Sequence, residues 1–191
     1  MNPIYLGPWR VDPVVRDSVA RGGLPIAVAA LARSVAAALT AAGAPSPASI
    51  GLILSDDAEL AELNRTHLGN DGPTDVLSFP LLPPEAFPPH GGDPDRGPPL
   101  RAGDPAAFAG PPGRRVHLGD IVVSVERAAV QATEGRGGQT GDLRWSAADE
   151  LRLLVTHGAL HVCGWDHADP TEEAAMRALE QRLLASGRRA S

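Results

Sequence analysis

Three of the six histidines in this 191-residue chain lie in one stretch, His157-Gly158-Ala159-Leu160-His161-Val162-Cys163-Gly164-Trp165-Asp166-His167. The apolar pattern around it predicts a helix, in which residues four apart are separated by about 400° and share one face. His157 and His161 can therefore reach a single ion. Gly164 is expected to end this helix, because glycine adopts the left-handed conformation without penalty. The turn can then bring back His167, and three histidines on a four-coordinate metal leave one position open, as in catalytic zinc sites.

Two neighbouring side chains leave alternatives open. Cys163 could be a fourth ligand, but it lies about 200° around the helix from His161, and we expect it to pack as a small apolar residue. Asp166 could bind the metal, hydrogen-bond a ligand histidine, or shape the turn, and we favour the last two roles. We predict that His157, His161 and His167 hold one Zn²⁺ per chain.

Length and composition indicate one globular domain. The chain is 43% hydrophobic and 21% charged, which is ordinary for a folded domain. Its single cysteine excludes an internal disulfide and fits a reducing compartment. We find neither a membrane-length apolar run nor a signal-type segment after Met1, so we predict a cytoplasmic protein. The net charge of −6 argues against a general nucleic-acid-binding surface but allows a local basic patch.

Periodicity predicts an α+β domain with a mixed, about four-stranded sheet covered by helices. The metal site would lie on a helix in the C-terminal half and on the turn that follows it. A short edge strand is expected within residues 1–20. The other predicted strands span residues 50–54, 75–79 and 118–124. The predicted helices span residues 26–42, 125–133, a segment capped by Ser55 or Asp56, a segment opened by a Ser146–Asp149 capping box, and a last segment starting near Pro170.

A proline- and glycine-rich segment interrupts this order. Residues 83–113 contain ten prolines and six glycines among 31 residues. We predict a flexible insertion within one domain of residues 1–191. Phe87 and Phe108 are its only aromatic residues; they could be exposed or could dock as a lid, and exposure is the favoured alternative. Arg114 and Arg115 end the insertion and are candidate phosphate contacts, with a solvated loop end as the simpler alternative.

The histidine stretch resembles the H-G-x-L-H-L-x-G-Y-D-H signature of the YbeY family. A second block, from Leu63 to Pro80, resembles the family pattern L-N-x-x-[aromatic]-R-G-x-x-x-P-T-D-V-L-S-F-P. The third, from Leu118 to Ser124, is similar to L-G-D-I-x-I-S. The resemblance covers roughly residues 50–80 and 118–185, and it implies the same α+β fold.

One departure from the family pattern concerns substrate binding. Leu68 stands where the family usually has an arginine that is thought to engage RNA phosphate. Leucine cannot make a charge-assisted hydrogen bond to an anion. Arg65, three residues earlier, is a candidate to reach the same space.

The resemblance implies a zinc-dependent, single-strand-specific endoribonuclease in 16S rRNA 3′-end maturation, rRNA processing and ribosome quality control. The implied partners are ribosomal RNA and the small ribosomal subunit, together with unidentified protein partners. We find no obvious general base beside His157, and we assign no catalytic residue beyond the metal ligands. Two alternatives stay open: a non-catalytic ribosome assembly factor with a structural zinc, and a zinc peptidase. The peptidase is disfavoured because Gly158 stands where H-E-x-x-H enzymes carry their glutamate base.

Overall fold

A computed structural model of the protein describes residues 1–90, 115–134, 145–167 and 170–189. Its strands are β1 (Ile4–Leu6), β2 (Trp9–Val15), β3 (Ala48–Ser55), β4 (Val76–Pro80) and β5 (Val116–Ser124). Its helices are α1 (Asp17–Gly22), α2 (Val28–Ala41), α3 (Asp57–Leu68), α4 (Val125–Glu134), α5 (Ala147–Val162) and α6 (Pro170–Arg189). In these ranges we find no helix with the length and apolar character of a membrane span.

The strands form one sheet in the order β1-β2-β3-β5-β4. β2, β3 and β5 run parallel, and the two outer strands pair antiparallel to their neighbours. The predicted mixed sheet covered by helices is confirmed, with five strands instead of about four. Both edges of the sheet are short strands.

The fifth strand arises at the N-terminus, where β1 and β2 form a hairpin in place of the single edge strand expected. β1 pairs only with Trp9–Val11, so Pro13 lies beyond its end. There β2 is itself an edge, which is where a sheet accommodates a residue without an N–H group. The following helix α1 was not predicted, because its six residues are too few to show a helical period.

The two faces of the sheet carry separate apolar clusters. The larger packs β3 and β5 against α2 and α5, with Ile50, Leu52 and Leu54 of β3 fully buried. The smaller lies under α3 and joins Leu60 to Leu77 and Val122. Alternation along each strand sends successive side chains to opposite faces, so both clusters come from the same strands. α5 is thereby fixed on the sheet next to the edge strand β4.

The insertion begins as a docked segment. Pro84–Ala86 form a 3₁₀ turn, and the next residue, Phe87, is only 1% exposed within the larger cluster. The favoured expectation of an exposed Phe87 is therefore wrong. A proline-rich segment shows no helix or strand pattern, yet one phenylalanine buries enough apolar surface to anchor it. Phe108 and Arg114 lie outside the described residues.

Candidate metal centre

Local sequence signals set both ends of α5. The Ser146 side chain caps the helix by accepting from Asp149 N, and the Asp149 carboxylate accepts from Ser146 N, which confirms the predicted capping box. At the other end Gly164 adopts φ = 79°, as predicted for the stop. Trp165 N then donates to Leu160 O at 3.1 Å. The chain therefore turns back over the last turn of its own helix.

This turn brings the three predicted ligands together. One ring nitrogen from each of His157, His161 and His167 lies within 4.8 Å of the others. The Asp166 carboxylate accepts from His167 N at 2.8 Å, so Asp166 shapes the turn, one of the roles expected for it. Cys163 is 1% exposed, and burial raises the pKa of its thiol to about 12. It packs as an apolar residue and does not offer a thiolate to the triad.

The hydrogen bonds of two histidines orient their Nε2 atoms towards the same point. His157 Nδ1 lies 2.7 Å from Glu180 Oε1, and His161 Nδ1 lies 2.8 Å from the carbonyl oxygen of Trp165. Both partners are acceptors, so both Nδ1 atoms carry the proton and both Nε2 atoms present a lone pair. The two Nε2 atoms are 3.0 Å apart. With both imidazoles neutral in these tautomers, two lone pairs point at one place, so the donor set fits a metal ion.

Burial keeps His161 in the form that binds metal. Desolvation, followed by the neighbouring His157 and His167, lowers the pKa of His161 to about 4. Its imidazole is therefore neutral near pH 7, and only a neutral imidazole offers a lone pair to an ion.

Glu180 is a candidate site residue that sequence reasoning missed. It lies on α6 and is 8% exposed, with its carboxylate on His157. A carboxylate on a ligand histidine fixes its tautomer and raises its basicity. The sequence offered one indication of this role: Glu180 directly follows Leu179, which belongs to the apolar face of α6 together with Met176 and Leu183. Glu150, the other buried glutamate near this helix face, lies seven residues before His157 and contacts the Trp145 indole.

We expect Glu180→Gln to weaken zinc binding about 10- to 100-fold, because the amide is uncharged and does not select the Nδ1–H tautomer of His157. Competition with a chromophoric chelator measures the affinity. Glu173→Gln on the same helix is the matched control, since Glu173 pairs with Arg177 at the surface. Equal affinities in the Glu180 variant and the wild type would show that this carboxylate does not support the site.

The triad opens into a groove of about 810 Å³. The turn after α5 forms one wall, and the edge strand β4 with the end of α3 forms the other. His167 is exposed, and His157 and His161 are half-buried. The triad is therefore accessible from the groove. Ser78 Oγ donates to Gly158 O at 3.1 Å and so links β4 to α5.

Close packing explains the glycine after the first ligand. A Cβ atom on Gly158 would lie 2.7 Å from Ile121 Cγ2 and 3.1 Å from Val76 Cγ2. Both contacts are shorter than van der Waals separation. A side chain here, such as the glutamate of an H-E-x-x-H enzyme, would force the packed side chains of β4 and β5 to shift.

The predicted arginine contacts do not line this groove. Arg65 is exposed on α3 outside the lining residues. Arg115 donates to Pro8 O and lies 5.6 Å over the Tyr5 ring, beside the opposite edge of the sheet. Among the described residues that line the groove there is no arginine or lysine; His67 and Leu68 occupy its far wall.

Comparison with known proteins gives one consistent family. A family model described as Endoribonuclease YbeY matches residues 25–187. A protein of that name from Salinispora tropica is 44% identical over 163 residues, covering 85% of this chain and 87% of the relative. One from Moorella thermoacetica is 39% identical over 155 residues, covering 81% and 83%. A solution structure from Thermotoga maritima aligns over 94% of this chain and 93% of its own, with 17% identity and a TM-score of 0.49.

Proposed function

This chain belongs to the YbeY family of endoribonucleases, and on that premise we propose that it is a zinc-dependent hydrolase that cleaves single-stranded ribosomal RNA. One observation supports the metal dependence: the Nε2 atoms of His157 and His161 face each other at 3.0 Å, with their Nδ1 atoms already engaged by acceptors. His157, His161 and His167 would hold the ion. A bound zinc supplies Lewis-acid polarisation of a phosphoryl oxygen.

The remaining roles belong to the chain itself. Glu180 and the Trp165 carbonyl hold two ligands in the required tautomer. The turn and β4 form the groove in which an RNA strand would lie. The Asp75 carboxylate accepts from Val76 N and Gln131 Nε2, so it braces the start of β4.

The open groove favours an enzyme over an assembly factor with a structural zinc. Structural zinc sites are closed by four protein ligands, whereas catalytic sites keep one exchangeable position. In the described residues the histidine triad is the one cluster of three or more potential metal ligands, and it faces the groove. The crowding at Gly158 argues against a zinc peptidase, because its base would displace packed side chains of β4 and β5.

We propose 16S rRNA 3′-end maturation and ribosome quality control in the cytoplasm as the biological setting. The net charge of −6 and a groove wall without arginine or lysine give weak attraction for a polyanion. The small ribosomal subunit would then supply the binding energy that places the RNA.

Metal removal and reloading test the proposal. Zinc is counted by mass spectrometry in the purified protein, after chelation and after reloading, and each form is incubated with single-stranded and duplex ribosomal RNA precursor fragments. We expect one zinc per chain, cleavage of single strands, loss on chelation and recovery with zinc. Zinc binding without cleavage, even with small subunits added, would overturn the nuclease and favour the assembly factor. Full-rate cleavage of naked RNA would instead remove the requirement for the ribosome.

A further inference from the structure

Around the edge strand β4, the groove that holds the histidine triad continues to an aromatic and apolar wall on the α3 side of the sheet. His67 and Leu68 are the last two residues of α3, which ends at Gly69 with φ = 70°. The His67 ring packs edge-on against Phe79 of β4, with 5.1 Å between centroids. Phe79 in turn packs on the smaller apolar cluster, so the sheet holds this wall in place.

Two residues of this wall, His67 and Leu68, are exposed at the end of α3. Leu68 is 59% exposed, one of the few large apolar side chains in the described ranges that face solvent. His67 is also exposed, and across the described part of the chain we find no hydrogen bond or ion pair that engages its imidazole. A single exposed leucine is ordinary, but Leu68 adjoins the exposed His67 ring, which packs on Phe79, so the three form one apolar patch. The wall is therefore free to contact a ligand.

We propose that His67, Leu68 and Phe79 form a subsite for one unpaired nucleobase of the RNA strand whose phosphate faces the triad. The proposal rests on the proposed function and names what the groove recognises. Leu68 cannot bond a phosphate oxygen, but a leucine and an imidazole next to a phenylalanine offer the surface on which a base stacks. Only an unpaired base can leave its own stack to use such a wall. The subsite thus favours single strands without any arginine.

Volume supports this assignment. The open groove of about 810 Å³ is larger than a metal ion with one phosphate, so it has room for a neighbouring nucleotide. The same cavity is continuous from the triad to His67, so a nucleotide next to the scissile phosphate extends toward the far wall.

The test measures binding of a short single-stranded RNA to the zinc-loaded protein by fluorescence anisotropy. The probes are the intact strand and a series in which one nucleotide at a time lacks its base. Stacking on an aromatic side chain contributes about 1–3 kcal/mol per base, so we expect His67→Ala to weaken binding of the intact strand about tenfold. His67→Phe, which retains the ring face, should bind within about twofold of the wild type. Thr66→Ala, at an exposed position outside the groove, is the matched control.

The abasic series ties the effect to a base. In the wild type one abasic position should cost about as much as His67→Ala, and in His67→Ala that position should cost nothing further. Equal losses at that position in both proteins, or full binding by His67→Ala, would overturn the subsite. Zinc content is measured in every variant, so loss of metal is not mistaken for loss of stacking. Base-dependent binding without cleavage would support the subsite while the nuclease proposal fails, whereas cleavage of single strands without any base-dependent binding would overturn the subsite alone.

Discussion

His161→Ala is expected to lower RNA cleavage by about 1,000-fold or more and to leave the protein without stoichiometric zinc. The substitution removes one of the two facing Nε2 atoms and the tie from His161 Nδ1 to the Trp165 carbonyl. Two histidines alone hold zinc weakly, and the lost polarisation corresponds to several kcal/mol at the transition state. Mass spectrometry for zinc and initial rates on single-stranded RNA measure the two effects.

The control for this variant is a substitution of a histidine that lies outside the groove. His117 lies on β5 and contacts Ser49 and Asp120, outside the groove lining. His117→Ala should keep one zinc per chain and a rate close to that of the wild type. Circular dichroism checks that both variants are folded. If His161→Ala retains zinc and cleaves normally, the triad is not the active centre.

Phe87→Ala is expected to reduce the free energy of unfolding by about 3–5 kcal/mol, the usual cost of emptying a buried phenylalanine site. The ring is almost fully buried in the larger cluster, and Pro88 lies directly against Gly43 behind it. Its removal leaves a cavity and also releases the start of the insertion. Urea denaturation of the metal-free protein measures the change without a contribution from zinc binding.

Leu81→Ala provides the comparison, because Leu81 is 63% exposed in the same connection. Its free energy of unfolding should stay within about 0.5 kcal/mol of the wild type. A Phe87→Ala protein as stable as this control would mean that the ring does not contribute to the core.

Sequence reasoning succeeded where the signal was local. The period of α2, the capping box at Ser146, the stop at Gly164 and the spacing of the three histidines each depend on residues within a few positions. Such signals survive folding because neighbours along the chain remain neighbours in space. They were sufficient for the fold class and for the three candidate ligands.

The residues that were missed depend on contacts between distant segments. Glu180 reaches His157 across 23 positions, and Phe87 enters a core formed by strands and helices elsewhere in the chain. The sequence around Glu180 indicates only a helix, and the sequence around Phe87 indicates only a proline-rich loop. Only the packing of α6 and of the insertion start against α5 and the sheet reveals what these side chains do. Arg65 and Arg115 lie outside the groove lining for the same reason: their positions depend on how distant segments pack together.

The antiparallel pairing of β4 with β5 has a consequence for how the chain folds. The two strands form a hairpin, yet residues 81–115 separate them where a hairpin needs only a few. Loop-closure entropy grows only with the logarithm of length, so roughly three doublings of a short loop cost about 2 kcal/mol. Burial of Phe87 is expected to offset that cost. It also divides the connection into a short loop between β4 and Phe87 and a longer loop between Phe87 and β5. The pairing nonetheless joins residues far apart in sequence, which raises contact order and is expected to make the strand beside the metal centre a late element to form.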